Sequence, residues 1–386
     1  MRRALLGCVA FALAYAGAVE AASAQSGMQV GDVSRASGLA GSETARDGDL
    51  SAIYHNPAGL TGLERPELSA SAQWGKSSVE FQRADEASRD LGRTVSGWGI
   101  AVGSPAASEG WLSRIHAGLG VHLPFSDLLT FEIPIRTDTP SSPVYGTRLQ
   151  RTSLTASFAV EITDELAAGL GATVSPTLTL PNEVRYDPSR GDTVQDGVIV
   201  ELDRELKIGL APTAGVQYAP TRRLSVGLAY RGQQDIRAKG LNELRAGALR
   251  VEDRLDFYDF WAPRQVSAGL AVDLLSAWSF SWDATWSQWS RFHTGHNEDP
   301  RPGFRDTFSI RSGLEWTPSR LLAARAGWGI EPSPLRPQRA ETNYIAPERT
   351  ILSGGLGLDF GALRAVAPRL DLHGALHLSE DQRASK

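Results

Sequence analysis

Few residues of this sequence could do chemistry, and they do not form a recognisable site. His293 and His296 have the spacing of a metal-ligand pair, but they lie in a polar stretch without further convergent ligands in the sequence. His55 stands beside Asn56, which suggests a hydrolase, yet there is no Gly-x-Ser-x-Gly motif and nothing pairs a serine with a histidine. We therefore predict solvated loop histidines, no metal, no cofactor and no enzyme activity.

Composition and motif content exclude further classes. The P-loop, the Rossmann fingerprint and the His-Glu-x-x-His helix are missing from the sequence. The 39 Lys and Arg residues are outnumbered by 44 Asp and Glu residues, for a net charge of -5. Phosphate backbones demand a basic excess, so no nucleic-acid partner is expected. Cys8 is the single cysteine, which rules out a disulfide within the chain and a cysteine-based metal site.

The N-terminus has the three parts of a secretory signal peptide. Arg2 and Arg3 precede an apolar run over residues 4–19, and Ala22-Ser23-Ala24 supplies the small residues of a cleavage site. The stretch from Leu5 to Cys8 looks like a lipoprotein box, but no apolar region precedes it, so lipidation is not expected. We predict that residues 1–24 are a signal peptide and that the protein is exported.

From about residue 66 the chain alternates between apolar and polar residues, segment after segment. In the clearest case Trp278, Phe280, Trp282 and Trp286 would share one face of a strand, with serine, aspartate and threonine on the other. A helix, at about 100° per residue, would scatter these tryptophans around its axis. The sequence therefore predicts an all-β protein.

Such alternation suits either a soluble sandwich, with its apolar face inward, or a transmembrane barrel, with its apolar face outward. Strands of about ten residues match a tilted membrane crossing. Tight turns also alternate with long polar connections at 126–146, 182–205, 240–262 and 331–347. Aromatic residues near strand ends would form interfacial girdles: Trp74, Phe81, Trp98, Trp261, Trp289, Phe292, Trp328 and Phe360. We predict an antiparallel transmembrane β-barrel, whose inward glycines allow close approach of the backbone.

Thirteen strands are recognisable, at 66–82, 94–103, 112–123, 148–161, 164–180, 206–219, 222–239, 262–274, 277–292, 305–317, 320–331, 348–361 and 368–379. An odd number is unusual for a bacterial barrel. We expect a strained parallel closure between 66–82 and 368–379, a natural gene product that extends beyond Lys386, or a fourteenth strand hidden in 126–146 or 240–262.

Several segments resemble one family. The segment Asp49–Leu60, with Asn56-Pro57-Ala58-Gly59 at its core, resembles the plug motif of the FadL/TodX (OMPP1) family of outer-membrane transporters for long-chain fatty acids and aromatic hydrocarbons. Further similar segments follow in order: Gly118–Phe125, Leu224–Arg231, Thr285–Phe292 and Arg325–Ile330.

The resemblance implies a barrel of about fourteen strands over residues 66–386, with a lumen plugged by an N-terminal hatch over residues 25–65. A ligand would be caught between outer loops, enter an apolar lumenal pocket and leave sideways at a kinked third strand. The implied partners are a hydrophobic small molecule, outer-membrane lipid and the barrel-assembly machinery, and the protein would be a monomer. Two features depart from the family: the tail from Ser379 to Lys386 lacks a terminal aromatic residue, and the loops at 182–205 and 240–262 look short and charged.

Two short motifs are candidates for roles in such a barrel. Asn56-Pro57-Ala58-Gly59 is a turn, since proline fixes its own φ, biases Asn56 to extended geometry, and Gly59 can adopt a positive φ. We interpret it as the hatch motif. At His122-Leu123-Pro124-Phe125 the third strand meets a proline, which cannot donate to a ladder. This motif either opens a lateral gate or simply ends the strand, and both interpretations stay open.

Inward-facing charges are predicted at Arg114, Asp283, Arg311, Glu315, Arg325, Asp359 and Asp371. We expect them to pair across the lumen and anchor the hatch; the alternative is scattered solvation in an open water channel. The two arrangements correspond to two functions. One is passive uptake of hydrophobic small molecules, and the other is diffusion of small polar solutes through a water-filled porin.

Overall fold

The computed structural model describes residues 34–76, 80–81, 89–90, 94–125, 152–179, 182–186, 198–202, 205–246, 249–292, 303–337, 346–360 and 368–379. The predicted signal peptide, His293 and His296, the connection at 126–146 and the tail after Ser379 lie outside these residues. None of the helices in the described ranges is long and apolar enough to cross a membrane.

The described chain begins with short helices and continues almost entirely as strands. The helices are α1 (Ser34–Gly38) and the 3₁₀ helices η1 (Leu50–Ile53), η2 (Pro57–Gly62), η3 (Trp111–Arg114) and η4 (Trp289–Arg291). The strands are β1 (Glu67–Lys76), β2 (Glu80–Phe81), β3 (Arg89–Asp90), β4 (Thr94–Pro105), β5 (Ile115–Pro124), β6 (Ser153–Glu161), β7 (Leu166–Thr179), β8 (Asn182–Tyr186), β9 (Val198–Leu202), β10 (Glu205–Thr221), β11 (Leu224–Arg231), β12 (Gln234–Ala246), β13 (Leu249–Ala262), β14 (Gln265–Leu275), β15 (Trp278–Ser287), β16 (Thr307–Trp316), β17 (Leu322–Glu331), β18 (Arg349–Asp359) and β19 (Arg369–Ser379).

One large sheet dominates the fold. It has 13 strands in the order β1-β4-β5-β6-β7-β10-β11-β14-β15-β16-β17-β18-β19. Neighbours in this order are antiparallel, as the ladders of β5 with β4 and with β6 illustrate. Each of the predicted segments overlaps one of these strands, so the prediction of an antiparallel all-β fold is confirmed.

The sequence predicted long polar loops at 182–205 and 240–262, but both stretches contain strands. They contribute β8, β9, β12 and β13 to a separate 4-stranded sheet in the order β13-β12-β8-β9. The predicted strand at 222–239 is also wrong, because β11 ends at Arg231 and β12 belongs to the separate sheet. The charge density of 240–262 favoured a loop, but ladder hydrogen bonds join backbones and so form in a charged hairpin too.

The order of the large sheet ends at β1 and β19, and within the described residues no ladder joins these two strands. The parallel pairing of 66–82 with 368–379 is therefore not found in this part of the chain. The strands found in 240–262 belong to the separate sheet, so they do not supply a fourteenth strand to the large one.

Side-chain alternation gives the large sheet two unlike faces. Ser157 in β6 and Ser281 and Asp283 in β15 are buried, whereas Phe158 and Trp282, one position away, are exposed. The exposed face is thus apolar and the buried face polar, the reverse of a soluble sandwich.

Residues 34–65, here called the inner segment, cover the polar face. Helix α1 contacts β17, β18 and β19, while η1 contacts β4 and β5, and η2 contacts β6, β7 and β10. A segment this short reaches strands at both ends of the sheet order only if the sheet curves around it. The contacts therefore describe a sheet wrapped around a filled interior.

The orientation of the two faces leads to a prediction about stability. If the apolar face meets lipid, Trp282→Arg in the middle of β15 should cost about 2–4 kcal/mol of unfolding free energy. Ser281 is no simple comparison, because its hydroxyl lies 2.8 Å from that of Ser42 in the inner segment. Leu322→Arg at the first residue of β17 is the matched control, and it should cost about 1 kcal/mol or less near the membrane boundary. Refolding titrations into lipid vesicles measure both costs, and equal values would contradict this orientation.

Candidate functional site

Glycines on the inner face allow the inner segment to approach the sheet. A Cβ atom on Gly215 in β10 would lie 1.8 Å from Oδ1 of Asn56. One on Gly227 in β11 would lie 2.0 Å from the carbonyl oxygen of Thr44. Both distances are far inside van der Waals contact, so a larger residue would displace the inner segment. This is the close approach that the predicted inward glycines imply.

Asn56 joins the turn motif to its surroundings. Its backbone is extended (φ -150°, ψ 104°), and its Oδ1 accepts a hydrogen bond from the Ala58 N–H at 3.1 Å, which caps η2. Its Nδ2 donates to the carbonyls of Thr44 at 2.6 Å and Val216 at 3.3 Å. One buried amide thus connects η2, the preceding loop and β10.

The other residues of the motif are also buried. Pro57 occupies the first position of η2, where a backbone N–H would have no helical partner. Gly59 does not use the positive φ that glycine permits. Glycine is required there for space instead, because a Cβ atom would lie 2.6 Å from the Arg46 carbonyl oxygen.

The glycine contacts predict what a single methyl-bearing side chain would do. Gly215→Val should dislodge the inner segment at Asn56, and overpacking of about 1–3 kcal/mol should speed trypsin cleavage at the now accessible Arg46 about tenfold. Gly374→Val in β19 is the control, because a Cβ atom there meets nothing within 4 Å. Fragment masses over a digestion time course measure both rates, and indistinguishable rates would refute the packing argument.

A buried network of ion pairs holds the inner segment on one side of the interior. Glu315 in β16 accepts hydrogen bonds from Arg325 in β17 at 2.6 Å, from Arg46 at 2.8 Å and from Arg35 at 3.0 Å. Arg325 also donates to Asp371 in β19 at 2.6 Å. Two strands and two points of the inner segment therefore meet at one carboxylate.

Two more of the predicted charges lie on the inner face. Asp283 accepts hydrogen bonds from the Thr44 backbone N–H at 2.9 Å and from its hydroxyl at 2.7 Å. Arg311 pairs with Glu331, which also pairs with Arg349. Of these, Asp283 contacts the inner segment directly.

The remaining predicted charges behave differently. Arg114 is not a lumenal charge: it ends η3, its side chain is half-exposed, and it pairs with Asp164 of the next turn at 3.0 Å. The sequence placed it in a strand, but the strand begins one residue later at Ile115. Asp359 is the last residue of β18, opposite Arg369 in the ladder.

Sequence reasoning missed the partners within the inner segment. Arg35, Glu43, Thr44 and Arg46 lie in a stretch without sustained periodicity, so no pattern assigned them a face. The available signal was the run from Glu43 to Asp47, where charged residues interrupt a chain of small ones. Such a run indicates ion pairing only when its partners, hundreds of residues away, are known.

We expect the packing of the inner segment against the sheet to depend on pH, because Glu43 is buried. Burial raises the pKa of Glu43 to about 7 from its ordinary value of 4.5, although nearby Arg35 and Arg46 lower it in part. Because the folded-state pKa is raised, folding favours the protonated acid. The inner segment should therefore be held most firmly below about pH 4.5 and lose stability as the pH rises towards 7.

We expect conducting events in planar bilayers to be more frequent at about pH 8 than at about pH 5. Glu43→Gln should remove this difference, since an amide does not titrate. Glu64→Gln, at an exposed position of the same segment, should leave it intact. A pH dependence that survives in Glu43→Gln would assign it to another group.

The third strand of the large sheet is β5, and both of its ladders are regular. It pairs with β4 as far as Pro124 and with β6 as far as His122, without a register shift. His122 and Pro124 are buried, and Phe125 packs edge-on against Trp98 with ring centroids 4.8 Å apart. A lateral gate at His122-Leu123-Pro124-Phe125 stays a prediction.

A small cavity lies between the inner segment and strands β1, β4, β5 and β6. Its lining includes Leu50 and Ile53 of the inner segment, Ser71 of β1, Gly99 of β4 and Thr155 of β6. Its volume of about 20 Å³ has room for one water-sized molecule. An aromatic ring or an alkyl chain would enter only if the inner segment moved.

A buried hydrophobic cluster joins the end of β13 to the segments that follow β15 and β17 and to those that precede β16 and β18. It comprises Trp261, Phe292, Phe304, Leu335 and Ala346, all buried. The sequence placed Trp261 and Phe292 in an exposed aromatic girdle, but both are buried in this cluster. Trp74, Trp98, Trp328 and Phe360 are exposed at the sheet surface as predicted.

Metal chemistry finds no support in the part of the chain that the structure describes. Within it, no group of three or more His, Cys, Asp or Glu side chains is placed to hold a metal ion.

Comparisons with solved structures show that the fold is shared. A FadL homologue from Pseudomonas aeruginosa is 15% identical, with a TM-score of 0.62 over 89% of this chain and 89% of that one. The monoaromatic hydrocarbon channel CymD is 16% identical, with a TM-score of 0.55 over 92% and 94%. The P. putida toluene transporter TodX is 14% identical, with a TM-score of 0.53 over 89% and 95%.

Comparison with models of sequence families identifies the family of this chain. No curated protein sequence matches the chain. The model of the family described as outer membrane protein transport protein (OMPP1/FadL/TodX) matches residues 13–363. The chain therefore belongs to the OMPP1/FadL/TodX family and is a β-barrel protein of the bacterial outer membrane.

Proposed function

We propose that this protein is a passive outer-membrane channel for small hydrophobic molecules, with the inner segment as its hatch. The observation that carries the proposal is an apolar cluster inside an otherwise polar barrel. Leu50, Ala52, Ile53, Leu60 and Leu63 of the inner segment pack together with Ala159 of β6. The free energy of an apolar solute falls when it leaves water for such a surface, which a polar lumen does not offer.

The filled interior favours this function over a diffusion porin. Asn56, Ala58 and Leu60 are fully buried, and the cavity next to Leu50 and Ile53 has room for one water-sized molecule. A water-filled pore needs an unobstructed lumen, whereas a hydrophobic ligand can be passed along a packed apolar surface that yields locally. The named functions of TodX and CymD, toluene transport and a monoaromatic hydrocarbon channel, are consistent with the proposal.

The experiment is uptake by intact cells that lack their own channels of this kind. Cells that produce the protein should accumulate radiolabelled toluene or a long-chain fatty acid faster than empty-vector cells, and a small sugar at an unchanged rate. Ile53→Asn places a polar group in the apolar cluster and should slow hydrophobic uptake. Leu68→Asn, on the exposed face of β1, is the matched control and should not. Faster sugar entry without hydrophobic uptake would replace the proposal with the diffusion porin.

A further inference from the structure

The cavity beside the inner segment has two chemically different walls. Leu50 and Ile53 form an apolar wall, and Ser71, Gln73 and Thr155 on the strands form a polar one. These three residues bring hydroxyl and amide groups to a lining to which the strands also contribute Ala101 and Val121. Such a lining matches a molecule with an apolar body and a hydrogen-bonding group at one end.

The described part of the lining carries no permanent charge. The described residues that line the cavity include no Asp, Glu, Lys or Arg, and their titratable side chains are His122 and Tyr54. Arg231 is not part of this lining, although its guanidinium stacks on the Tyr54 ring, 3.6 Å from the ring centroid. The described ion pairs of Glu315, Asp371 and Glu331 involve strands β16 to β19 instead. An ionised carboxylate that entered the cavity would lose its hydration without gaining a lining cation.

Thr155 is placed to recognise a neutral polar group. Its hydroxyl lies 3.0 Å from the hydroxyl of Thr173 in β7. A hydroxyl has one donor and two acceptor sites, so this single bond leaves Thr155 able to bind a second partner. A ligand hydroxyl would satisfy that capacity, whereas a bare hydrocarbon would bury it unused.

We propose that this cavity, once widened by movement of Leu50 and Ile53, selects uncharged amphiphiles: molecules with an apolar body and one neutral hydrogen-bonding group. The proposal rests on the proposed function, because it names the class of hydrophobic molecule that the channel prefers. Ionised acids should bind more weakly in this cavity, because the described lining offers them no cation.

Three ligands that share one ring test the proposal. Toluene, benzyl alcohol and benzoate differ only in the group on the ring, and benzoate is ionised at about pH 8. Equilibrium binding of each radiolabelled compound to the full-length protein in lipid nanodiscs, with empty nanodiscs subtracted, gives their affinities. We expect benzyl alcohol and toluene to bind, and the affinity for benzoate to be at least about tenfold weaker than that for benzyl alcohol.

The deciding comparison uses two valine variants. Thr155→Val keeps the side-chain shape and removes the hydroxyl of a residue that lines the cavity. Thr173→Val removes the other hydroxyl of the same hydrogen bond, at a residue outside the described lining. Thr155→Val should weaken benzyl alcohol binding about three- to tenfold and leave toluene unchanged. Thr173→Val should change neither.

The outcomes separate this inference from the proposed function. Equal losses for toluene and benzyl alcohol in Thr155→Val, equal effects of both variants, or benzoate competing as well as benzyl alcohol would each overturn the selectivity. Binding of none of the three compounds would instead count against the hydrophobic channel itself.

Discussion

Deleting residues 26–65 is expected to leave a folded barrel that conducts ions. The ladders of the large sheet join strands to strands, so their hydrogen bonds do not pass through the inner segment. What the deletion removes is the material that fills the interior, and a wide barrel without it holds a continuous column of water. Single-channel conductance in planar bilayers should rise by at least about tenfold over the full-length protein.

The converse experiment tethers the inner segment in place. The hydroxyls of Ser42 and Ser281 lie 2.8 Å apart, so cysteines at these two positions are close enough to be joined by a disulfide. Oxidised Ser42→Cys/Ser281→Cys protein should stay non-conducting, and reduction should restore the behaviour of the wild type. Unchanged conductance after the deletion would mean that something other than the inner segment closes the lumen.

Removing the carboxylate of Glu315 should have the largest effect on stability of any single charge substitution in the network. Arg35, Arg46 and Arg325 all donate to it, and their side chains are 16%, 6% and 1% exposed. Glu315→Gln leaves these guanidinium groups buried beside a neutral amide. Breaking a buried pair in this way costs about 3–5 kcal/mol. Arg35 and Arg46 would lose their shared carboxylate while shielded from water, whereas Arg325 would keep Asp371.

Equilibrium unfolding in urea from lipid vesicles measures this loss. Asp164→Asn is the control, since Asp164 also pairs with an arginine but its side chain is 92% exposed. The exposed pair should contribute about 0–1 kcal/mol. Similar losses for both variants would show that the Glu315 network does not anchor the inner segment.

The strands were predictable because their signal is local. The alternation of tryptophan with serine over Trp278–Ser287 needs only the neighbouring residues, and β15 covers this stretch. The predicted strand at 277–292 extended too far, because residues Trp289–Arg291 form η4. Where a strand is charged on both faces, as in Leu249–Ala262, the same signal fails, because hydrophobicity no longer reports the pairing of the backbone.

The residues of the interior were predictable only in part. The turn around Asn56 could be recognised because proline and glycine constrain the backbone at their own positions. Its partners could not, since Asn56 and Val216 are 160 residues apart. The same is true of Arg35 and Glu315, which are separated by 280 residues.

The sequence by itself determined that the chain forms alternating strands with an apolar face, because side-chain direction in a strand depends only on position along it. It also placed most of these strands along the chain, although not their exact ends, since turn residues act locally. Only the tertiary structure decided which inner positions touch residues 34–65, which carboxylate gathers three arginines, and where a cavity remains. Those contacts depend on how far the sheet curves and on which strands face each other across the interior. The spacing of residues along the sequence does not show which distant residues the fold brings into contact.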